Sequence, residues 1–154
     1  MGGRAEFVGV EAVDSMERSA ATLRFFGETL DPDEITRLLG RHPSAAERKG
    51  DIVGPRKNRT ARQGSWRLSV VDREPGDLDA QIDEILRDIT TDLSVWRQLT
   101  QVYAVDLFCG VWLDSSSEEH HISPTTLLKL GERGIRLSLD VYANIEPNEE
   151  PDSA

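Results

Sequence analysis

Six basic residues, Arg48, Lys49, Arg56, Lys57, Arg59 and Arg62, fall within residues 48–62 against one acid, Asp51. Guanidinium forks bind phosphate and carboxylate through paired N–H donors, and glycine-containing turns add backbone N–H groups to such sites. Gly50 and Gly54 supply turns of that kind. The chemistry expected of Arg48, Lys49, Asp51, Arg56, Lys57, Arg59 and Arg62 is therefore capture of a small anion or a nucleotide-type ligand. The segment is no P-loop, because the G-x-x-x-x-G-K-[ST] spacing is missing. The competing expectation is a solvated loop that offsets nearby acids.

A second constellation emerges from alternation. Thr22, Arg24, Phe26, Arg67, Ser69, Asp106, Phe108, Trp112, Arg136, Ser138, Asp140 and Tyr142 occupy every other position of four strand-like segments. They would share the uncovered face of a sheet. Charges of both signs beside aromatic rings make a recognition surface, with Arg24, Arg67, Asp106, Trp112, Arg136, Asp140 and Tyr142 as its expected contacts. The plainer expectation is cross-strand ion pairing, Arg136 or Arg67 with Asp106 or Asp140.

Other reactive side chains point to little. Glu118, Glu119, His120 and His121 are all metal-binding types, but adjacent residues rarely converge on one ion. They read as a loop, as does His42. Cys109 falls on the apolar side of a strand, where a thiol is inert packing. No G-x-S-x-G elbow occurs, and no two carboxylates are marked as sharing a cleft. No catalytic residue, metal or cofactor is expected, and the reading leans away from an enzyme.

The elements that would position these residues follow from periodicity. Segments 20–26, 65–71, 104–113 and 135–143 alternate apolar and polar residues. The last is the cleanest, with Ile135, Leu137, Leu139, Val141 and Ala143 on one face. Between them lie helical signals. Asp31, Pro32 and Glu34 form a helix start, and Gly40 a stop. Leu78, Ile82, Ile85, Leu86 and Ile89 form one helical stripe after Asp77. Thr90 to Asp92 interrupts it before Leu93, Trp96 and Leu99. Ser123 and Pro124 open a last helix, ending near Gly134. The order β-α-β-α(α)-β-α-β, with strands apolar on one side only, predicts an α/β two-layer sandwich: a mixed four-stranded sheet with helices packed on one face. The unit 104–143 is the expected parallel crossover. Residues 41–64 are the least structured internal segment.

With 154 residues and one cysteine, the chain fits a single domain that needs no disulfide. The expected organisation is a loosely ordered segment 1–18, in which Phe7, Val8 and Val10 could add an edge strand. One α/β domain then spans 19–145, and a disordered acidic tail spans 146–154. No signal peptide or membrane span is visible, so the expected location is cytoplasmic. The net charge of −10 opposes generic nucleic-acid binding and favours a protein partner with a basic surface.

Several segments, read in order, resemble the bacterial family called domain of unknown function 4279. They are Leu23-Arg24-Phe25, Leu30-Asp31-Pro32-Asp33-Glu34-Ile35-Thr36, Lys49-Gly50-Asp51, Gly64-Ser65-Trp66 and Leu137-Ser138-Leu139-Asp140-Val141-Tyr142. The resemblance covers roughly residues 20–143. It implies that Asp51, Trp66 and Asp140 match recurrent motif positions, without giving them a role, and it brings no activity with it.

Three functions fit these residues. The leading expectation is a non-catalytic protein-interaction module, inhibitor-like or immunity-like. The alternative is a small-anion or nucleotide-type ligand domain using 48–62, with Asp140 or Arg136 nearby. The third is an enzyme of unrecognised type. What separates the first two is whether the basic segment folds over the open sheet face.

Overall fold

Alternation and capping together account for most of the elements. The computed structural model describes residues 16–114 and 120–143. Expectations for residues 1–15, for Glu118 and Glu119 and for the tail 146–154 lie outside those residues. The elements run β1 (Met16–Gly27), α1 (Pro32–Leu39), β2 (Ala45–Glu47), β3 (Ile52–Val53), β4 (Arg59–Thr60), β5 (Gly64–Ser69), α2 (Leu78–Arg87), α3 (Leu93–Val102), β6 (Ala104–Leu113), α4 (Pro124–Arg133) and β7 (Arg136–Ala143). The fold is α+β, in two layers.

Each helix starts where a side chain satisfies an otherwise orphaned N–H. Asp31 accepts from the Asp33 N–H, Asp77 from Ala80, Asp92 from Ser94 and Ser123 from Thr126. α1 and α4 end on Gly40 and Gly134, both left-handed, with φ of 75° and 70°. Such a backbone costs glycine no Cβ clash.

The main sheet has the order β2-β5-β1-β6-β7. All its pairs are antiparallel except β6 and β7, which run parallel through the α4 crossover. Ala21, Leu23 and Phe25 of β1, Trp66 and Leu68 of β5, and Leu107 and Cys109 of β6 are buried with Ile35, Ile82, Ile85 and Trp96 from the helices. Phe25 is the hub. Its ring meets Trp66 edge-on at 5.5 Å and lies 6.0 Å from Trp96. Both indoles find acceptors, Trp66 Nε1 donating to Thr36 Oγ1 and Trp96 Nε1 to the Thr90 carbonyl. The buried polar pair Ser19 and Gln81 is also satisfied. Ser19 Oγ donates to Gln81 Oε1, while Gln81 Nε2 donates to the Ser19 and Val71 carbonyls, fixing α2 to β1.

Two expectations change. The sheet has five strands rather than four, and a two-stranded ribbon, β3 with β4, stands beside it. The extra strands lie in the segment read as least structured. β2 is three residues long and β3 and β4 two each, too short to display a period. They form because partners exist: Ala45 to Glu47 against Arg67 to Ser65, and Ile52 and Val53 against Thr60 and Arg59. The second change concerns β7. Leu139 and Val141, expected in the core, are each 53% exposed. β7 is an edge strand, and among the described residues nothing covers its C-terminal half. No helix among the described residues is long and apolar enough to cross a membrane.

Candidate functional site

The open sheet face collects the residues that alternation assigned to it. Phe26 lies opposite Ser65, Arg24 opposite Arg67 and Thr22 opposite Ser69 across β1 and β5. Across β6 and β7, Asp106 lies beside Arg136, Phe108 beside Ser138, and Trp112 beside Tyr142. The face divides into two parts with different chemistry.

On the β1–β6–β7 part, most polar groups are spent on one another, Arg136 excepted, which has no carboxylate partner among the described residues. Arg24 makes two bonds to Asp106, Nε to Oδ1 at 2.8 Å and Nη2 to Oδ2 at 2.7 Å. Ser138 Oγ donates to the same Oδ2 at 2.9 Å. The Arg24 guanidinium also lies 4.3 Å from the Phe108 ring centre and 5.2 Å from that of Phe26. The hydrogen bonds that Arg24 donates to Asp106 raise the Arg24 pKa against the opposing effect of burial. Asp106 thus pairs with Arg24, and neither Arg67 nor Arg136 takes it. Further out, Trp112 stacks on Tyr142 with ring centres 5.0 Å apart and an interplanar angle of 15°. Arg18 covers Trp112 at 3.9 Å. The stack depends on Gly110, where an added Cβ would come within 2.8 Å of the indole. Tyr142 Oη donates to Asp140 at 2.6 Å, and that bond pushes the phenol pKa up.

The β2–β5 end differs. Here the ribbon β3–β4 meets the open face and borders a half-open hollow of about 310 Å³, lined by Phe26, Glu47, Arg59, Thr60, Arg62, Gln63, Ser65 and Arg67. Ser65 is 2% exposed, and its Oγ has no hydrogen-bond partner. Arg59 pairs with Glu47 at 3.2 Å. Among the described residues no carboxylate pairs with Arg62 or with Arg67, whose guanidinium lies 5.7 Å from the Phe26 ring centre. Three guanidinium groups against one carboxylate leave the hollow electropositive in a chain of net charge −10.

The basic segment 48–62 is split by this arrangement. Arg48 and Lys49 do not reach the hollow. Arg48 binds Asp31 at 2.8 Å and Asp33 at 2.6 Å, and Lys49 binds Glu28 at 2.6 Å. Lys49 holds the Glu28 carboxyl below its ordinary range. The Asp33 N–H, and then Arg48, do the same for Asp31. The Asp51 carboxylate accepts the Arg48 backbone N–H at 2.7 Å, and its backbone carbonyl accepts from Ala61. These three residues anchor the base of the ribbon. Arg56 and Lys57 stand at its tip, where Lys57 adopts φ of 47°. Only Arg59 and Arg62 face the hollow. Asp140 and Arg136 lie at the other side of the sheet.

Glu47, Thr60, Gln63 and Ser65 belong to the site and were not among the residues singled out from the sequence. Ser65 had a signal: it alternates with Trp66, so it shares a face with Arg67. Glu47, Thr60 and Gln63 had none, because the short strands that place them have no period.

Among the described residues, other reactive groups do not converge. Cys109 is fully buried, and desolvation drives its thiol pKa up to about 12. Such a thiol is not a nucleophile at neutral pH. No group of three or more metal-ligating side chains occurs among the described residues. A second hollow, of about 470 Å³, is more open and is lined by the loop residues Asp72 to Asp77. Its Asp77 caps α2 and its Asp72 pairs with Arg18.

A family model described as Domain of unknown function (DUF4279) matches residues 16–144. The match covers the main sheet and the four helices of the described residues, and the chain belongs to that family. No curated protein and no solved structure matches it.

Proposed function

We propose that this member of the DUF4279 family is a ligand-binding domain that holds a small anion, or the phosphate of a nucleotide-type molecule, in the hollow between the ribbon and the β2–β5 end of the sheet. The observation that carries the reading is the convergence of three unspent groups: the Ser65 hydroxyl and the guanidinium groups of Arg62 and Arg67. A buried hydroxyl without a partner costs about 1–3 kcal/mol. A ligand oxygen that displaced the atoms covering the hydroxyl and accepted from it would remove that cost. Charge-assisted bonds from Arg62 and Arg67 would add to it, since they are roughly twice as strong as neutral ones. The Phe26 ring offers an apolar wall for the rest of a larger ligand.

Thermal unfolding in the presence of inorganic phosphate, dicarboxylates and mononucleotides tests this, because a ligand of the native state stabilises it by mass action. At least one class should raise the melting temperature of the wild type and lose most of that effect in Arg62→Ala and Arg67→Ala. No shift with any class at millimolar concentration would end the reading.

The second reading is a protein-interaction module, inhibitor-like or immunity-like, whose partner presents a basic surface. The net charge of −10 and the half-exposed Tyr142 beside Asp140 favour it. Affinity capture that returns a stoichiometric partner lost on Tyr142→Ala, with no ligand response in the melting assay, would favour it over the anion site.

A further inference from the structure

The two edges of the main sheet are unequal. β2 ends one side after three residues, whereas β7 ends the other after eight. An unpaired edge presents a row of free N–H and C=O groups, and natural sheets usually shorten, charge or cover it. β7 is long and free of proline, and its core-side Leu139 and Val141 stand half exposed. α4 packs against β7 and exposes Leu127 and Leu128 as well. On the opposite face, Trp112 of the neighbouring strand stacks on one side of the Tyr142 ring. The stacking direction runs across the strands, so the other ring face is turned toward the free edge. Arg136 has no carboxylate partner among the described residues.

We propose that β7 pairs antiparallel with β7 of a second copy of this chain, about a two-fold axis through Leu139, joining the two sheets into one. An axis normal to the sheet keeps both helical layers on the same side, so directly opposed residues share a face. On the core side Leu139 then meets the second copy's Leu139, and Leu137 meets its Val141. On the open side Arg136 meets the second copy's Tyr142, on the ring face that Trp112 leaves free, a cation–π contact. Ser138 meets its Asp140, so no like charges are directly opposed.

Neighbouring registers fit less well. An axis through Ser138 sets Val141 against Ile135 and Tyr142 against Gly134, beyond the start of the strand. An axis through Asp140 sets two aspartates face to face, a destabilising pair. The proposal is independent of the anion site, which lies at the opposite edge of the sheet.

Sedimentation equilibrium on the full chain reads the outcome directly. The wild type should be a dimer, and Leu139→Glu should weaken it at least about tenfold, a change of about 1.4 kcal/mol, with an unchanged circular dichroism spectrum. Under mild oxidation Leu139→Cys should cross-link to itself, because directly opposed residues lie close enough for a disulfide. Arg136→Cys should not, its copies being separated along the strand. Cys109 is fully buried and stays out of the reaction. A wild-type monomer, a dimer untouched by Leu139→Glu, or equal cross-linking at positions 136 and 139 would each overturn the proposal.

Discussion

On the β1–β6–β7 part of the open face, Arg24, Asp106, Ser138, Asp140 and Tyr142 bond to one another, and Arg18 covers the Trp112 ring. At the β2–β5 end, Arg62 and Arg67 line a hollow without carboxylate partners, above a buried Ser65 hydroxyl that bonds to nothing. The residue types are alike, and both regions lie on one sheet. What differs is the supply of partners. The first region finds most of them on a neighbouring strand, as for Arg24 and Ser138 with Asp106, or two residues along the same strand, as for Tyr142 with Asp140. The second is bounded by a short ribbon that contributes mainly cations. Groups satisfied within the fold contribute to stability, whereas groups left over are available to a ligand. The first region should therefore respond to substitution through folding, and the second through binding.

Asp106→Ala gives the largest expected effect. It strands the Arg24 guanidinium and removes the acceptor of Ser138. Breaking a buried pair costs about 3–5 kcal/mol. With 27% of the Arg24 side chain still exposed, the expected loss is about 2 kcal/mol. Arg67→Ala, at the equivalent depth of the other region, should change stability by no more than about 0.5 kcal/mol. Urea denaturation of the two variants side by side checks the contrast. Equal losses would erase the distinction.

Gly110→Ala comes next. Its new methyl would displace the Trp112 ring from Tyr142, costing about 1 kcal/mol, the usual worth of an aromatic pair. A change in tryptophan fluorescence should accompany it. Ser65→Ala sharpens the comparison by sign. Removing an unpartnered buried hydroxyl should leave stability unchanged or raise it by up to about 1 kcal/mol, while weakening the ligand. A clear loss of stability would mean that Ser65 Oγ is satisfied within the fold.

Much of this comparison was legible in the sequence and some was not. Alternation assigned Arg24, Phe26, Arg67, Asp106, Trp112 and Tyr142 to one face, because long strands carry a clear period. Caps at Asp31, Asp77 and Ser123 set the helix starts, because those interactions are local. The β2–β4 segment was hidden, since strands of two or three residues are created by their partners. Charge alone marked 48–62, yet it could not separate Arg48 and Lys49 from Arg59 and Arg62. That separation depends on Glu28, Asp31 and Asp33 in another element. Leu139 and Val141 misled for a related reason: alternation gives the face of a residue, while burial depends on what lies over it.

The smallest expected effect concerns the anchor of the ribbon. Glu28 and Asp31 have carboxyl pKa values held below the ordinary range in the folded state. Their contribution is complete above the unfolded carboxylate values, near pH 4. It disappears as pH falls through the lowered folded values. Both carboxyls are solvent-exposed, so the change should be local. Protection of the Gly50 and Ala61 amides against hydrogen exchange, taken relative to the intrinsic rate at each pH, should fall in acid before that of the core amides, and added salt at neutral pH should do the same more weakly.

The most direct test of the division is an amide chemical-shift map recorded while inorganic phosphate is titrated into the protein. Saturable shifts are expected at Phe26, Glu47 and residues 59–67, and they should be absent in Arg62→Ala and unchanged in Asp140→Asn. Shifts centred on Arg136 to Tyr142, or none with phosphate, a dicarboxylate or a mononucleotide at millimolar concentration, would contradict the assignment of the β2–β5 end of the sheet as the binding site.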